Sequence, residues 1–327
     1  MPGSYSIERL FQQVRRALPG SFSVDVVPCE TPYHSRWWLL KGIARARAHT
    51  AQVNHIVGDV HYVALGLPGA RTILTVHDLN HLQVLKGIRR VLFRWLYFSL
   101  PLRRCRIVTA ISESTRERLV SQFPFVAEKL TVIPDCVPVG FTAKPKPFNR
   151  NCPRILQVGT APHKNLMRVA KAVAGLPCVL HIVGRLSDAQ HRLLENLNIH
   201  YENGADLPDD ALVRAYAEAD MVVFASLAEG FGLPIIEANA IGRPVVTSYL
   251  SPMKEVAGDA GCLVNPCDVT DIRDGIRRVI GDDEYRNALL ERGYENAKRY
   301  RADVVASQYA RLYEYLAGSN SERERRD

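Results

Sequence analysis

The sequence has no apolar run that approaches the ~20 residues needed to cross a bilayer, and its start lacks the basic-then-apolar order of a signal peptide. Its seven cysteines are scattered and include no Cys-x-x-Cys pair. An odd, dispersed set predicts reduced thiols that mainly fill the core of a cytoplasmic protein. No internal repeat has the period of a solenoid. These absences favour a globular cytoplasmic chain over a membrane-spanning, disulfide-rich or repeat protein.

Basic charge is concentrated in the first part of the chain. Residues 1–140 hold 18 Lys and Arg against 9 Asp and Glu, a surplus of +9, whereas the whole chain carries +8, so the remainder is near −1. The densest piece runs from Lys86 to Arg106 (KGIRRVLFRWLYFSLPLRRCR), with seven basic and no acidic residues. This pattern is typical of a surface that binds an anionic membrane, or of a helix with a solvated basic face. It is weak evidence for a nucleic-acid binder, because no reading motif accompanies it.

Short β-branched apolar runs alternate with helical patterns along the chain. Continuous apolar strands imply burial on both faces, so the pattern predicts an α/β fold with parallel sheets covered by helices. The predicted strands cover 23–27, 55–60, 72–76, 106–111, 130–134, 154–159, 179–184, 221–226 and 244–248. The predicted helices cover 6–18, 113–123, 165–173, 209–219 and 233–241.

A stretch without periodicity, residues 140–153, is rich in proline, lysine, asparagine and glycine and predicts a linker. We therefore expect an N-terminal domain over 1–140 and a second domain over 141–301, with ligands in the cleft between them. A further helix at about 302–317 is expected to pack back on the first domain.

The stretch EGFGLPIIEANA, residues 229–240, predicts a loop that runs into a helix with proline in its first turn. Gly230 and Gly232 let the backbone approach a ligand closely, and the unpaired amides of the helix start favour a phosphate. Glu237, about one turn inside, can accept hydrogen bonds from ribose hydroxyls, and Glu229 from hydroxyls beyond the phosphates. The pattern predicts a nucleotide-sugar site. The simpler alternative is a strand–turn–helix with surface glutamates.

With two glutamates eight positions apart around Gly-Phe-Gly-Leu-Pro, the chain resembles the retaining glycosyltransferases of family 4, which have the GT-B fold. Further segments match that family in order, at 75–79, 108–119, 132–137, 158–166 and 260–268. The resemblance implies two Rossmann-like, doubly wound parallel-sheet domains facing a cleft, the first on the acceptor side and the second for the donor. The family's opening strand and glycine-rich loop are missing before MPGSYSIERLF, and we expect an upstream segment that would bring Gly3 and Ser4 near the active site.

The resemblance also implies an activity. Such an enzyme moves a sugar from a UDP- or GDP-sugar to a saccharide or lipid-linked acceptor, with retention at the anomeric carbon, in cell-surface polysaccharide or glycolipid synthesis. It implies no metal or other cofactor, and the sequence offers no Asp-x-Asp motif to hold a metal. We expect the work to take place on the cytoplasmic face of a membrane. The alternatives are an epimerase-like GT-B enzyme and a non-catalytic nucleotide-sugar-binding subunit.

The resemblance assigns roles to particular residues. Lys164 would neutralise the leaving diphosphate, which develops charge as the glycosidic bond breaks. Thr160 stands where many members carry an arginine, and Arg185 could supply that missing charge. The implied donor and nucleotide contacts are Gly159, Thr160, Lys164, Arg185, Leu207, Gly230, Phe231, Gly232, Leu233 and Glu237. The implied catalytic residues are His77, Asp78, Lys164 and Glu229.

His77 follows the predicted strand 72–76, at the sheet edge where α/β proteins bind ligands. The resemblance implies that it shapes the reaction centre, and Asp78 could accept from an acceptor hydroxyl. The alternative is a structural His–Asp turn. His77 and His81 are four residues apart, but no third ligand is suitably spaced, so we predict no metal site there.

Overall fold

A computed structural model describes residues 5–29, 38–79 and 87–323. Gly3, Ser4, His81 and Lys86 lie outside the described residues. The chain divides into two compact units, one made of the residues up to Cys136 together with those from Ala302, the other of Val137–Arg301. The division into an N-terminal domain over 1–140 and a second domain over 141–301 stays a prediction.

The first unit contains a parallel four-stranded sheet in the order β1-β2-β3-β4. Its strands are β1 Asn54–Ile56, β2 Thr72–Val76, β3 Ile107–Ala110 and β4 Leu130–Val132. Its helices up to β4 are α1 Tyr5–Ala17, α2 Trp38–Ala48, α3 Gly87–Phe93, α4 Leu100–Arg104 and α5 Glu113–Gln122, with a π-helical turn Arg94–Ser99 between α3 and α4.

The second unit contains a parallel six-stranded sheet in the order β10-β9-β8-β5-β6-β7. Its strands are β5 Arg154–Val158, β6 Val179–Val183, β7 Tyr201–Gly204, β8 Met221–Phe224, β9 Val245–Ser248 and β10 Gly261–Val264. Its helices are α6 Leu166–Val173, α7 Asp188–Asn196, α8 Asp209–Glu218, α9 Leu233–Ile241, α10 Met253–Ala257, α11 Val269–Gly281 and α12 Asp283–Arg299. The strand order runs outward in both directions from the β5–β8 pair.

The last helix, α13 Ala302–Arg323, belongs to the first unit. It packs on α1 and on the sheet, where Leu316 joins Ile73 and Ile107 in an apolar cluster. Polar contacts add to this packing, because Tyr313 Oη lies 2.7 Å from His55 Nδ1, and His55 Nε2 lies 2.7 Å from Thr75 Oγ1. The helix is therefore fastened to β1 and β2 by both apolar and polar side chains.

The prediction of a strand over 23–27 is wrong. This segment has no regular structure, and Val24 and Val26 are 41% and 63% exposed. Its β-branched residues favour an extended chain, but a strand also needs a neighbour to complete its ladder of hydrogen bonds. Within the part of the chain that the structure describes, no strand pairs with this segment.

Candidate functional site

The second sheet has one point at which the strand order reverses, between β5 and β8. In open parallel sheets, the loops that leave the carboxyl ends of two such strands diverge to opposite faces and open a crevice for a ligand. Here the two loops are residues 159–165, between β5 and α6, and residues 225–232, between β8 and α9. The crevice at this point is the candidate functional site.

The side chain of Gln157 stabilises the conformation of the loop after β5. The buried side chain of Gln157 donates from Nε2 to the carbonyl oxygens of Gly159 (3.3 Å) and Lys164 (3.0 Å), so one amide bridges both ends of the loop. Gly159 has a φ of +91°, and a Cβ there would lie 2.8 Å from Lys164 Cγ. A side chain at this position would displace the lysine, so glycine is required for Lys164 to lie across it.

Asn165 connects this loop to two others. It has a left-handed conformation with φ of +64°, which asparagine tolerates better than most residues. Its buried Nδ2 donates to the carbonyl oxygens of Ala225 (2.9 Å) and Pro266 (2.7 Å), which follow β8 and β10. The residue directly after Lys164 therefore fixes the lysine relative to the neighbouring loops.

Lys164 and Glu229 form an ion pair across the crevice, with 2.8 Å between Nζ and Oε1. Their side chains are only 20% and 12% exposed, and Nζ also lies 4.9 Å from the ring centre of Phe224. A pair this sheltered interacts more strongly than one at the surface. The structure thus brings together a cation and an acid that the sequence places 65 residues apart.

Helix α9 begins in the same crevice. Gly232 precedes its first residue with φ of +118°, a conformation that residues with a Cβ rarely adopt. Pro234 occupies the first turn, where its missing N–H costs no hydrogen bond. The nine-residue helix therefore directs its first amides and the positive end of its dipole towards this loop.

Glu237 is the fifth residue of α9, about one turn inside the helix, and is buried, with 6% of its surface exposed. Its Oε2 accepts a hydrogen bond from the buried hydroxyl of Tyr216 on α8. Burial raises the pKa of Glu237 from 4.5 to about 7, although the Tyr216 hydrogen bond and the charge of Lys164 both act in the opposite direction. Burial, with the neighbouring Glu237 charge, also raises the pKa of Tyr216 well above its ordinary value.

Three of the predicted nucleotide contacts, Thr160, Arg185 and Leu207, follow the carboxyl ends of β5, β6 and β7. Thr160 Oγ1 donates to the Arg185 carbonyl at 2.7 Å, and Gln190 Nε2 donates to the Thr160 carbonyl at 2.7 Å. The Arg185 side chain is 80% exposed and pairs with Asp206 at 2.7 Å. Leu207 packs on Gly204, where a Cβ would lie 3.0 Å from Leu207 Cδ2. Arg185 is thus engaged with an acid after β7.

The two catalytic candidates of the first unit lie at the carboxyl end of β2. His77 is buried, packs edge-on against Phe11 with ring centres 6.0 Å apart, and has Nε2 2.9 Å from the Val57 carbonyl. A carbonyl can only accept, so Nε2 carries a hydrogen and donates it in this contact. Asp78 is half-buried beside it. Burial and the neighbouring His77 lower the pKa of His55 to about 3, so His55 is neutral.

Sequence reasoning did not find Tyr216, Gln157 or Asn165. A tyrosine in an amphipathic helix is indistinguishable from an ordinary core residue, and the side-chain contacts of the two amides depend on residues distant in sequence. Among the described residues, no group of three or more His, Cys, Asp and Glu is placed to hold a metal ion.

Two family models match most of the chain. The model described as glycosyl transferases group 1 matches residues 141–296, and the model described as glycosyltransferase family 4 matches residues 8–141. The two matches meet at residue 141 and lie in the order of the two units. The chain belongs to the group 1, family 4 glycosyltransferases.

Curated relatives agree with this assignment. The chain is 39% identical over 110 residues to the O-antigen chain mannosyltransferase B of Escherichia coli. The matched stretch covers 34% of this chain and 29% of that protein. It is 26% identical over 247 residues to the O-antigen chain mannosyltransferase RfbU of Salmonella typhimurium. This match covers 71% of this chain and 69% of the Salmonella protein. For the E. coli protein and two further relatives, the matched stretch spans less than a third of the relative's length.

Solved structures show the same fold. The sucrose-phosphate synthase of Thermosynechococcus elongatus superposes with a TM-score of 0.74 at 18% identity, covering 96% of this chain and 93% of that one. Anabaena HepE, solved in complex with UDP and glucose, superposes with a TM-score of 0.72 at 18% identity, covering 87% and 84%. The fold is therefore that of the GT-B glycosyltransferases, as predicted.

Proposed function

We propose that this protein transfers a sugar from a UDP- or GDP-sugar to a saccharide or lipid-linked acceptor, with retention at the anomeric carbon and without a metal ion. The observation that carries the proposal is the grouping of Lys164, Glu229 and Glu237 around the start of α9. One cation, a helix start and two acids at a switch point match the successive phosphate and hydroxyl groups of a nucleotide sugar.

The diphosphate would bind between Lys164 and the first amides of α9, near Gly230, Phe231, Gly232 and Leu233. Lys164 would then exchange its contact with Glu229 for a phosphate oxygen. Because the leaving diphosphate gains negative charge in the transition state, a fixed cation there lowers the barrier more than it strengthens ground-state binding. Glu229, released from the lysine, would accept hydrogen bonds from the hydroxyls of the transferred sugar.

The nucleoside would extend away from the diphosphate. Glu237 would accept hydrogen bonds from the ribose hydroxyls, and the base would rest near Gly184, Arg185 and Leu207. The relatives named for O-antigen mannosyl transfer support a role in cell-surface polysaccharide or glycolipid synthesis. The neighbour solved with UDP and glucose supports a nucleotide-sugar donor.

We assign His77 to the shaping of the reaction centre and Asp78 to the binding of the acceptor. Asp78 can accept a hydrogen bond from a hydroxyl of the acceptor, and the ring of His77 can take part in hydrogen bonds at the reaction centre. Retention then needs no carboxylate nucleophile if the leaving phosphate itself takes the proton of the attacking hydroxyl on the same face. Nothing in this route requires a metal, since Lys164 and the helix start supply the positive charge.

A membrane surface is a further part of the proposal. Ile88, Val91, Leu92 and Trp95 are all exposed on α3 and the π-helical turn, among the arginines of residues 86–106. Exposed apolar side chains beside arginines suit the boundary of an anionic bilayer. Among the described residues, no helix has the length and the apolar character needed to cross a bilayer. Binding would therefore be peripheral, on the cytoplasmic face.

The experiment is a thermal-shift screen of UDP, GDP and their sugars, followed by a transfer assay with the donor that stabilises most. We expect one nucleotide to raise the melting temperature, and Glu237→Ala to weaken its binding by about 1–3 kcal/mol. The matched control is Glu218→Ala, which removes an acid from α8 in the same unit. Quantitative epimerisation of the donor without acceptor, or binding without any turnover, would contradict transfer in favour of the two alternatives.

A further inference from the structure

The hydrogen bond between Tyr216 and Glu237 has no part in the roles assigned above. The two residues lie on adjacent helices, α8 and α9, and both are buried. The phenol donates to Oε2 alone, so this contact takes up one oxygen of the carboxylate and defines the rotation of the group. Each buried polar group needs a hydrogen-bond partner, and the Tyr216 hydroxyl has the Glu237 carboxylate as its partner.

Tyr216 is held in place by the segment that precedes β5. Its ring packs edge-on against Phe141, with centres 5.2 Å apart. That segment is tied to the end of α9, since the Lys144 amide donates to the Ile241 carbonyl at 3.0 Å. Arg243 Nη2 donates to the carbonyl oxygens of Lys144 (2.8 Å) and Ala217 (2.5 Å). The tyrosine therefore has little freedom to turn away from Glu237.

We infer that Tyr216 is a positioning residue for nucleotide binding: it orients the Glu237 carboxylate and stabilises its charged form, so that the second oxygen is available to the ribose. The inference rests on the proposed function, because it takes Glu237 to be the ribose acceptor. An ionised carboxylate accepts through both oxygens, whereas a protonated one carries a hydrogen on one of them. The charged form keeps every acceptor site of the carboxylate for Tyr216 and the two ribose hydroxyls, whereas protonation replaces one of these sites by a donor.

Two neighbouring groups favour the charged form against burial. The Tyr216 hydroxyl acts from α8, and the Lys164 ammonium acts from the loop before α6. Both lower the pKa of Glu237, but burial raises it by more, so that the pKa lies at about 7. Nucleotide affinity is therefore expected to rise with pH through the neutral range, as the free protein loses the proton from Glu237. Removing the phenol hydroxyl removes a contribution that lowers this pKa, so the rise must move to higher pH.

The test measures UDP and GDP affinity by calorimetry between pH 5.5 and 9 for the wild type and Tyr216→Phe. The phenylalanine keeps the ring and its contact with Phe141, and circular dichroism confirms that the variant is folded. We expect the midpoint of the affinity increase to move up by about one pH unit, with affinity recovering to within about threefold of wild type at pH 9. The matched control is Tyr309→Phe, which removes a buried hydroxyl from the first unit.

A loss of affinity that is the same at every pH, or an unchanged midpoint, would overturn the inference, since a structural role would not shift a titration. Wild-type calorimetry in buffers of different ionisation enthalpy supplies a second measurement: proton release on binding at pH 7 supports the inference, and none overturns it. Glu237→Gln separates this result from the proposed function. If that variant binds as the wild type does, the ribose role itself fails. If it loses affinity while Tyr216→Phe shows no shift, only the role of Tyr216 fails.

Discussion

Replacing Glu237 by glutamine should stabilise the protein while it weakens nucleotide binding. Glutamine has the same shape and can still accept a hydrogen bond from Tyr216. It carries no charge, so its burial does not have the free-energy cost of removing a carboxylate from water. A pKa raised from 4.5 in the unfolded chain to about 7 in the folded one means that the ionised form is disfavoured on folding. At roughly 1.4 kcal/mol per pKa unit, this destabilises the wild type by about 3 kcal/mol above pH 7.

The sign of the effect sets its pH dependence. Below pH 4.5 the carboxyl is protonated in both states, so wild type and variant should have equal stability. The wild type then loses stability between pH 4.5 and about 7, and the advantage of the variant is fully present above that window. An increase of about 2–3 kcal/mol in the free energy of unfolding at pH 8 is therefore expected, with little at pH 4.5.

Urea unfolding at pH 4.5 and pH 8, followed by circular dichroism, measures this difference. Tryptophan fluorescence is unsuitable, because all three tryptophans lie at positions 37, 38 and 95, outside the second unit. Glu291→Gln is the matched control, since Glu291 is an exposed glutamate of the same unit. An equal stability difference at both pH values, or a destabilised variant at pH 8, would show that burial of the charged carboxylate does not destabilise the wild type.

Three further predictions concern the site and the surface. Lys164→Met should lower turnover, measured as kcat, about a hundredfold and nucleotide affinity, measured as Kd, far less. Equal fold losses in kcat and in affinity would contradict a transition-state role for the lysine. Gly232→Ala should lower the free energy of unfolding by about 1–3 kcal/mol. Alanine is strained at φ of +118°, and its Cβ would lie 3.2 Å from Ile235 Cδ1. Unchanged urea unfolding would contradict this prediction. Trp95→Glu should reduce sedimentation with anionic vesicles, whereas Val139→Glu, at an exposed apolar residue of the second unit, should not. Equal binding by both variants would count against the proposed membrane surface.

Much of the fold follows from local patterns. The helix over 233–241 and the strand over 72–76 have the predicted bounds, because Gly-Leu-Pro marks a helix start and a run of β-branched residues marks a buried strand. Strand β7, Tyr201–Gly204, escaped prediction because its sequence, YENG, has no β-branched residue. Among the described residues it lies at the sheet edge and pairs with β6. Its formation depends on a neighbour that local propensity does not register.

The candidate site divides in the same way. The glutamates and the glycines around α9 are visible as a motif, since they are close in sequence and each has a chemical reason to be there. The environment of Glu237 is not visible, because its burial and its bond to Tyr216 depend on the packing of α8 against α9. The ion pair between Lys164 and Glu229 likewise depends on Asn165, whose side chain joins loops that follow three different strands.

The pairing of Lys164 with Glu229 has a consequence for the order of events. With 2.8 Å between their charged atoms, Glu229 partly neutralises the charge of Lys164. A diphosphate, with more charge than one carboxylate, would compete effectively for the ammonium and leave Glu229 free to accept from a sugar hydroxyl. Donor binding would thus create the contact that the sugar needs.

The most direct test of the proposed donor site is a crystal structure with the UDP- or GDP-sugar that binds most tightly. We expect a phosphate oxygen within hydrogen-bonding distance of Lys164 Nζ and the start of α9, ribose hydroxyls on Glu237, and Glu229 turned from the lysine to the sugar. A donor bound elsewhere, or one bound while Lys164 and Glu229 remain paired, would contradict it.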